Sequence, residues 1–62
     1  MMTIRVIDNN NKKVIKEEKV DNMTYAMVVV VDRFRRIYNN VTIEEYYGEP
    51  KGKPISTIHS FN

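Results

Sequence analysis

The sequence predicts an α+β domain of the order ββαββ, a small antiparallel sheet with one helix packed across one face. Apolar residues alternate with polar ones near the N-terminus, as in half-buried strands. In the middle of the chain they recur at helical spacing. Two more strand-like segments then flank a loop that contains both prolines and both glycines. A chain of 62 residues forms at most one domain, so residues 1–62 are expected to fold as a single unit.

The first two segments are predicted to form a hairpin. In residues 3–8 the alternation places Ile4 and Val6 on one face. The following "DNNNKK" is rich in asparagine, which tolerates the left-handed backbone of tight turns. Residues 14–20 resume as a second strand, and its middle, residues 16–19, is fully charged. A charged strand of this kind is typical of a sheet edge that resists pairing with another chain.

The stretch "AMVVVVDRFRRIY", residues 26–38, allows two interpretations. A run of β-branched valines is ordinary in a strand, but a strand over residues 25–33 would need both faces buried. A strand there would also leave "RRIYNN" as a loop that no local signal explains. The apolar positions around it instead recur at spacings of four, three, four and three, which favours a helix. The predicted core face of this helix comprises Met23, Met27, Val30, Val31, Phe34, Ile37 and Tyr38.

The ends of this helix and the later elements follow from short local signals. Asp21 or Asn22 can cap the N-terminus, and Asn39 with Asn40 can replace glycine at the C-terminus. "VTIEEYY" then predicts a third strand, "GEPKGKP" a loop, and "ISTIHSF" a last short strand.

Composition excludes several classes of function. Cysteine is absent, which removes disulfides and thiolate metal sites. The N-terminus lacks an apolar signal segment, and the longest apolar run, Ala26–Val31, is too short to span a membrane. We therefore expect a cytoplasmic protein with no cofactor, no metal and no membrane partner. The net charge of +2 is too small to mark a nucleic-acid-binding protein by itself.

Catalytic groups are scarce. His59 is the single histidine, and neighbouring serines and a threonine, Ser56, Thr57 and Ser60, do not make a triad without the right geometry. Glu44 and Glu45 are adjacent on a predicted strand and point to opposite faces, so they cannot share a site. We predict that the protein is not an enzyme.

The abundance of Asn, Lys, Ile and Val, the scarcity of Gly and Ala, and the short chain together give a compositional resemblance. The chain as a whole loosely resembles small accessory proteins of phages and mobile elements. The resemblance implies a protein that acts by contact with a host macromolecule.

The outer face of the predicted helix carries a candidate binding surface. Tyr25, Val29, Arg33 and Arg36 follow one another at spacings of four, four and three, and we call them the helix stripe. Aromatic and arginine side chains around an apolar centre are enriched at protein interfaces. The stripe is therefore a candidate contact with a protein partner, or the seam of a homodimer. The alternative is structural, since single exposed valines are normal on a protein surface.

A second functional hypothesis is nucleic-acid binding through basic residues near the helix C-terminus and in the Gly-Pro loop. Several acidic residues interleave with them, which favours an ordinary solvated surface. The candidate residues are Arg33, Arg35, Arg36, Lys51 and Lys53.

Overall fold

The computed structural model describes residues 1–61, and that part of the chain has the predicted ββαββ order. The strands are β1 (Met2–Asp8), β2 (Val14–Val20), β3 (Val41–Tyr47) and β4 (Ser56–Ser60). One continuous helix, α1, covers residues 23–37. The predicted fold class, an α+β domain with a small antiparallel sheet, is confirmed.

The four strands form one sheet in the order β2-β1-β3-β4, and every neighbouring pair is antiparallel. Met2 lies opposite Val20 on one side and Tyr47 on the other, while Asp8 pairs with Val41. β2 and β3 therefore run parallel on either side of β1, and a parallel pair needs a crossover connection. That connection is α1, which runs from the Met2 end of the sheet to the Asp8 end.

The limits of α1 follow the local signals in the sequence. Asn22 is the N-cap, and its Oδ1 accepts a hydrogen bond from the backbone N–H of Tyr25 at 2.8 Å. The helix ends at Ile37, and Asn40 then adopts a positive φ of 56°, a conformation that asparagine tolerates. The alternative of a valine strand over residues 25–33 is wrong.

The centre of α1 is a π-helical segment, Ala26–Val30, between an α turn at Met23–Tyr25 and an α segment at Val31–Ile37. The backbone N–H of Val31 bonds the carbonyl of Ala26, five residues earlier. This wider turn holds more residues than an α turn, so it changes which side chains face the sheet.

The π turn corrects the predicted core face of the helix. Ala26, Val30, Val31 and Phe34 are the buried helix residues. Met23, Met27 and Ile37 were predicted to be in the core, but Met27 is 48% exposed, Ile37 is 62% exposed and Met23 is also exposed. The spacing rule assumes 3.6 residues per turn throughout, and that assumption fails at Met27, which lies in the wider turn. Met23 and Ile37 lie outside the π segment, at the first and last positions of the helix.

The core lies between α1 and the alternate residues of the two central strands that face it. On this helix face of the sheet, β1 contributes Met2, Ile4 and Val6, as the alternation predicted for the last two. Tyr38 and Ile58 pack against the edge of this cluster. The full set of buried core residues is Met2, Ile4, Val6, Val20, Ala26, Val30, Val31, Phe34, Val41 and Ile43.

One carboxylate lies on the helix face among these apolar residues. Glu45 pairs with Ile4 on β1 and Ser56 on β4, and it is only 1% exposed. Its Oε2 atom is buried and has no hydrogen-bond partner. A buried polar atom without a partner carries its desolvation cost in full, so Glu45 lowers the stability of the fold.

The π turn predicts an asymmetry between two neighbouring positions. Ala26→Leu forces extra atoms into a closed part of the core and should lower the free energy of unfolding by about 1–3 kcal/mol. Met27→Leu, the matched control with the same incoming residue, should change it by less than about 1 kcal/mol because Met27 is half exposed. Urea unfolding followed by circular dichroism measures both values. A larger loss of unfolding free energy in Met27→Leu than in Ala26→Leu would show that Met27, not Ala26, faces the core.

Glu45→Met should stabilise the domain, because it removes a buried oxygen without a partner while keeping a similar volume. The expected gain in unfolding free energy is about 1–3 kcal/mol at neutral pH. Thermal denaturation compares this variant with Glu49→Met, a change at an exposed carboxylate. A loss of stability in Glu45→Met would mean that Glu45 is paired in solution.

Candidate functional site

The apolar centre of the helix stripe lies on the exposed side of the π turn. Tyr25 and Val29 are both exposed, and Val28 beside them is 64% exposed. Together with two residues at the start of the helix they line a shallow, open depression of about 430 Å³. Its lining residues are Asn22, Thr24, Tyr25, Val28 and Val29.

On a regular helical wheel Val28 and Val29 both lie on the face opposite the core, but the predicted stripe included only Val29 of the two and neither Asn22 nor Thr24. The π turn brings Val28 and Val29 out side by side, because the wider turn lies between the buried residues Ala26 and Val30. The signal in the sequence was the valine run itself, since crowded β-branched residues fit poorly in a regular α-helix.

The two arginines of the stripe are held by carboxylates. Arg33 donates from Nη2 to both oxygens of Glu18 on β2, at 3.1 and 3.2 Å, and its guanidinium lies 5.6 Å from the ring centroid of Phe34. Arg36 pairs with Asp32, one helical turn earlier, at 3.0 Å. The Arg33 pair fixes which flank of α1 faces β2. Because both pairs are solvent-exposed, each contributes at most about 1 kcal/mol to stability.

The basic residues of the nucleic-acid hypothesis lie on two separate elements of the fold. Arg33, Arg35 and Arg36 lie in the last turns of α1, at the end of the sheet where Asp8 pairs with Val41. Lys51 and Lys53 lie in the loop after β3, and β3 ends beside Met2 at the opposite end of the sheet. The Arg33 side chain reaches back to Glu18, which lies opposite Ile4 on β1.

The sheet face opposite α1 carries polar and aromatic groups in contact across the strands. Arg5 pairs with Glu17 at 2.8 Å. His59 Nδ1 lies 3.1 Å from the Thr42 hydroxyl, and the His59 ring stacks on Phe61 at 6.3 Å between centroids. The alternation of β4 places Ser56 and Ser60 on the other face from His59.

The carboxylates Glu44 and Glu45 point to opposite faces of the sheet, as predicted from their adjacency. Glu44 lies on the open face and accepts a 2.7 Å hydrogen bond from the hydroxyl of Tyr46, while Glu45 is buried under the helix. Among residues 1–61, no three His, Cys, Asp or Glu side chains come together in a group that could hold a metal ion.

No helix within the described residues has the length and apolar character needed to cross a membrane. Comparison of the chain with protein-family models, with curated proteins and with solved structures gave no match.

The Tyr46–Glu44 pair predicts a pH effect. The hydrogen bond to the Glu44 carboxylate raises the pKa of Tyr46 above its ordinary value of 10.0, and burial and the negative charge of Glu44 act in the same direction. The protonated tyrosine is thus favoured in the folded state. Its contribution to stability is fully present below about pH 10 and is lost as the pH rises from there through the raised pKa.

Glu44→Gln should therefore lower the pKa of Tyr46, because the charge that disfavours tyrosinate is removed. NMR titration of the Tyr46 ring measures this value. Glu49→Gln removes a carboxylate that pairs with Lys19 instead, and it should leave the titration unchanged. An unchanged Tyr46 pKa in Glu44→Gln would contradict the assigned cause.

Proposed function

We propose that this protein is a non-enzymatic binding domain that contacts a protein partner through the outer face of α1. In this role it acts as a small cytoplasmic accessory or inhibitor protein, in the manner of the phage and mobile-element proteins that its composition resembles. The observation that carries the proposal is the apolar centre formed by Tyr25, Val28 and Val29, which the core of the domain does not use.

The backbone supports this interpretation. π-helical turns are rare, and they occur frequently at functional sites. Here the π turn carries two exposed valines, next to an aromatic side chain that is also exposed. Tyrosine and arginine around an apolar centre match the composition of residues that dominate binding energy at interfaces.

The chemistry of the surface defines the partner. The depression between Tyr25 and the two valines fits an apolar side chain, and Asn22 and Thr24 at its rim offer polar groups to a backbone. Arg36 lies farther along the helix in a mostly exposed pair with Asp32, which an acidic group of the partner can replace. We therefore propose a partner segment with one apolar anchor and an acidic residue toward the C-terminal end of α1.

Nucleic-acid binding is the weaker hypothesis. Its five basic residues belong to two separate elements, the helix and the loop after β3, and Arg33 and Arg36 are paired with carboxylates. A continuous positive track along a phosphate backbone would need these charges to be adjacent and free.

The test is a double charge reversal on the helix, Val29→Glu with Arg33→Glu, in an affinity pull-down from cell extract. We expect the wild-type domain to retain a protein partner after nuclease treatment. We expect the variant to bind this partner at least about thirtyfold more weakly, since central contacts of this kind are each worth about 2 kcal/mol. Thermal denaturation should show that the variant stays folded, because both side chains are exposed.

The matched control is Val14→Glu with Lys16→Glu, which makes the same kinds of change at exposed positions of β2. This control should bind the partner as the wild type does. Equal binding by the helix variant would contradict the proposal. Loss of the partner on nuclease treatment, with binding that falls steeply with salt, would instead support the nucleic-acid hypothesis.

A further inference from the structure

The buried side chains of α1 do not fit a regular α-helix. They are Ala26, Val30, Val31 and Phe34, at positions i, i+4, i+5 and i+8. At about 100° per residue these positions spread over an arc of about 140°, and Met27 would lie inside that arc. Because Met27 is 48% exposed, the helix must turn by fewer degrees per residue between Ala26 and Val30, as a π turn does.

Removal of one residue from the π segment restores the regular pattern. The buried positions then become i, i+3, i+4 and i+7, which is the spacing of an amphipathic α-helix. Their arc narrows to about 100°, and Met27 falls outside it. The π turn is therefore equivalent to an α-helix with one additional residue inserted between Ala26 and Val31.

The inserted residue is one of the valines. Residues 28–31 are all valine, so deletion of any one of them gives the same shortened sequence. The shortened chain still places an alanine, two adjacent valines and Phe34 at the four buried positions of the α pattern. The fourth valine thus adds only to the exposed side of the turn, where Val28 and Val29 are 64% and 40% exposed.

We infer that α1 carries one valine more than the fold needs, and that this valine serves the outer surface of the helix. The second part of the inference rests on the proposed function. There the additional valine widens the depression beside Tyr25, which receives the apolar anchor of the partner segment. A β-branched residue without core contacts weakens a helix, so folding alone does not account for it.

The two ends of the helix stripe do not depend on the additional valine. Tyr25 directly precedes the buried Ala26, and Arg33 directly precedes the buried Phe34 and is held by Glu18. A chain with one valine fewer keeps both buried residues in place. Deletion therefore removes a side chain from the centre of the stripe and leaves its ends where they are.

The first test is the stability of the chain from which Val28 is deleted. We expect its midpoint of urea unfolding to equal or exceed the wild-type midpoint, because the core is unchanged and a β-branched residue leaves the helix. Deletion of Arg35 is the matched control, and it should lower the midpoint because it turns Tyr38 away from Phe34 and the core cluster. A midpoint below the wild-type value on deletion of Val28 overturns the inference.

The second test observes the π turn directly. In the wild type, an NMR scalar coupling across the hydrogen bond should join the amide nitrogen of Val31 to the carbonyl carbon of Ala26. The same two groups should remain coupled after deletion of Val28, now four residues apart as in an α-helix. A wild-type coupling of Val31 to Met27 instead would show a regular α-helix with no inserted residue, and overturns the inference.

The third test concerns the role of the valine at the surface. In the pull-down, deletion of Val28 should weaken binding of the partner at least about tenfold, as expected for a contact near the centre of an interface. Val14→Ala, which shortens an exposed valine on β2, is the control and should bind as the wild type does.

The outcomes of the third test separate the two proposals. Full binding by the Val28 deletion, with binding lost in Val29→Glu with Arg33→Glu, overturns the role of the additional valine and leaves the proposed function in place. A wild type that retains no protein partner overturns the proposed function and the role of the valine together. The urea midpoint then still decides whether the fold needs the fourth valine.

Discussion

The packing of a single helix across the two central strands is the constraint on which the rest of this structure depends. β1 pairs with β2 on one side and β3 on the other, and α1 covers β1 and β3 with four buried side chains. Among the described residues one helix covers one face of the sheet, so no further element covers the two sheet edges or the outer side of the helix. Small domains bury a smaller share of their surface for this reason.

The exposed apolar residues follow from this arrangement and are not spread evenly. Some of them surround the π turn on the outer side of α1, and others flank the β4 edge. One group lies at a widened helical turn. The other lies at the ends of β4, an edge strand of the sheet. These exposed apolar residues of the described chain thus form two separate groups.

Polar contacts between distant parts of the chain fix the ends of the elements rather than the centre. Arg33 ties the helix to β2 through Glu18, and the next residue of β2, Lys19, pairs with Glu49 in the loop after β3. At the Asp8 end, the amide of Asn9 donates to Asn40, and the Thr42 hydroxyl donates to Asn9. These bonds are exposed or partly buried, so their effect is on orientation more than on total stability. Glu45 is the exception, because it lies in the core without a partner for one oxygen.

The sequence by itself determined the order of the elements, the first hairpin, a helix cap at Asp21 or Asn22, and the alternation that buries Ile4 and Val6, because each depends on neighbours within a few residues. It also placed Glu44 and Glu45 on opposite faces. Only the tertiary structure decided that Ala26, and not Met27, lies in the core, because a π turn depends on how the helix packs against the sheet. It likewise left β4 as an edge strand, because strand order is set by long-range pairing that no local pattern encodes.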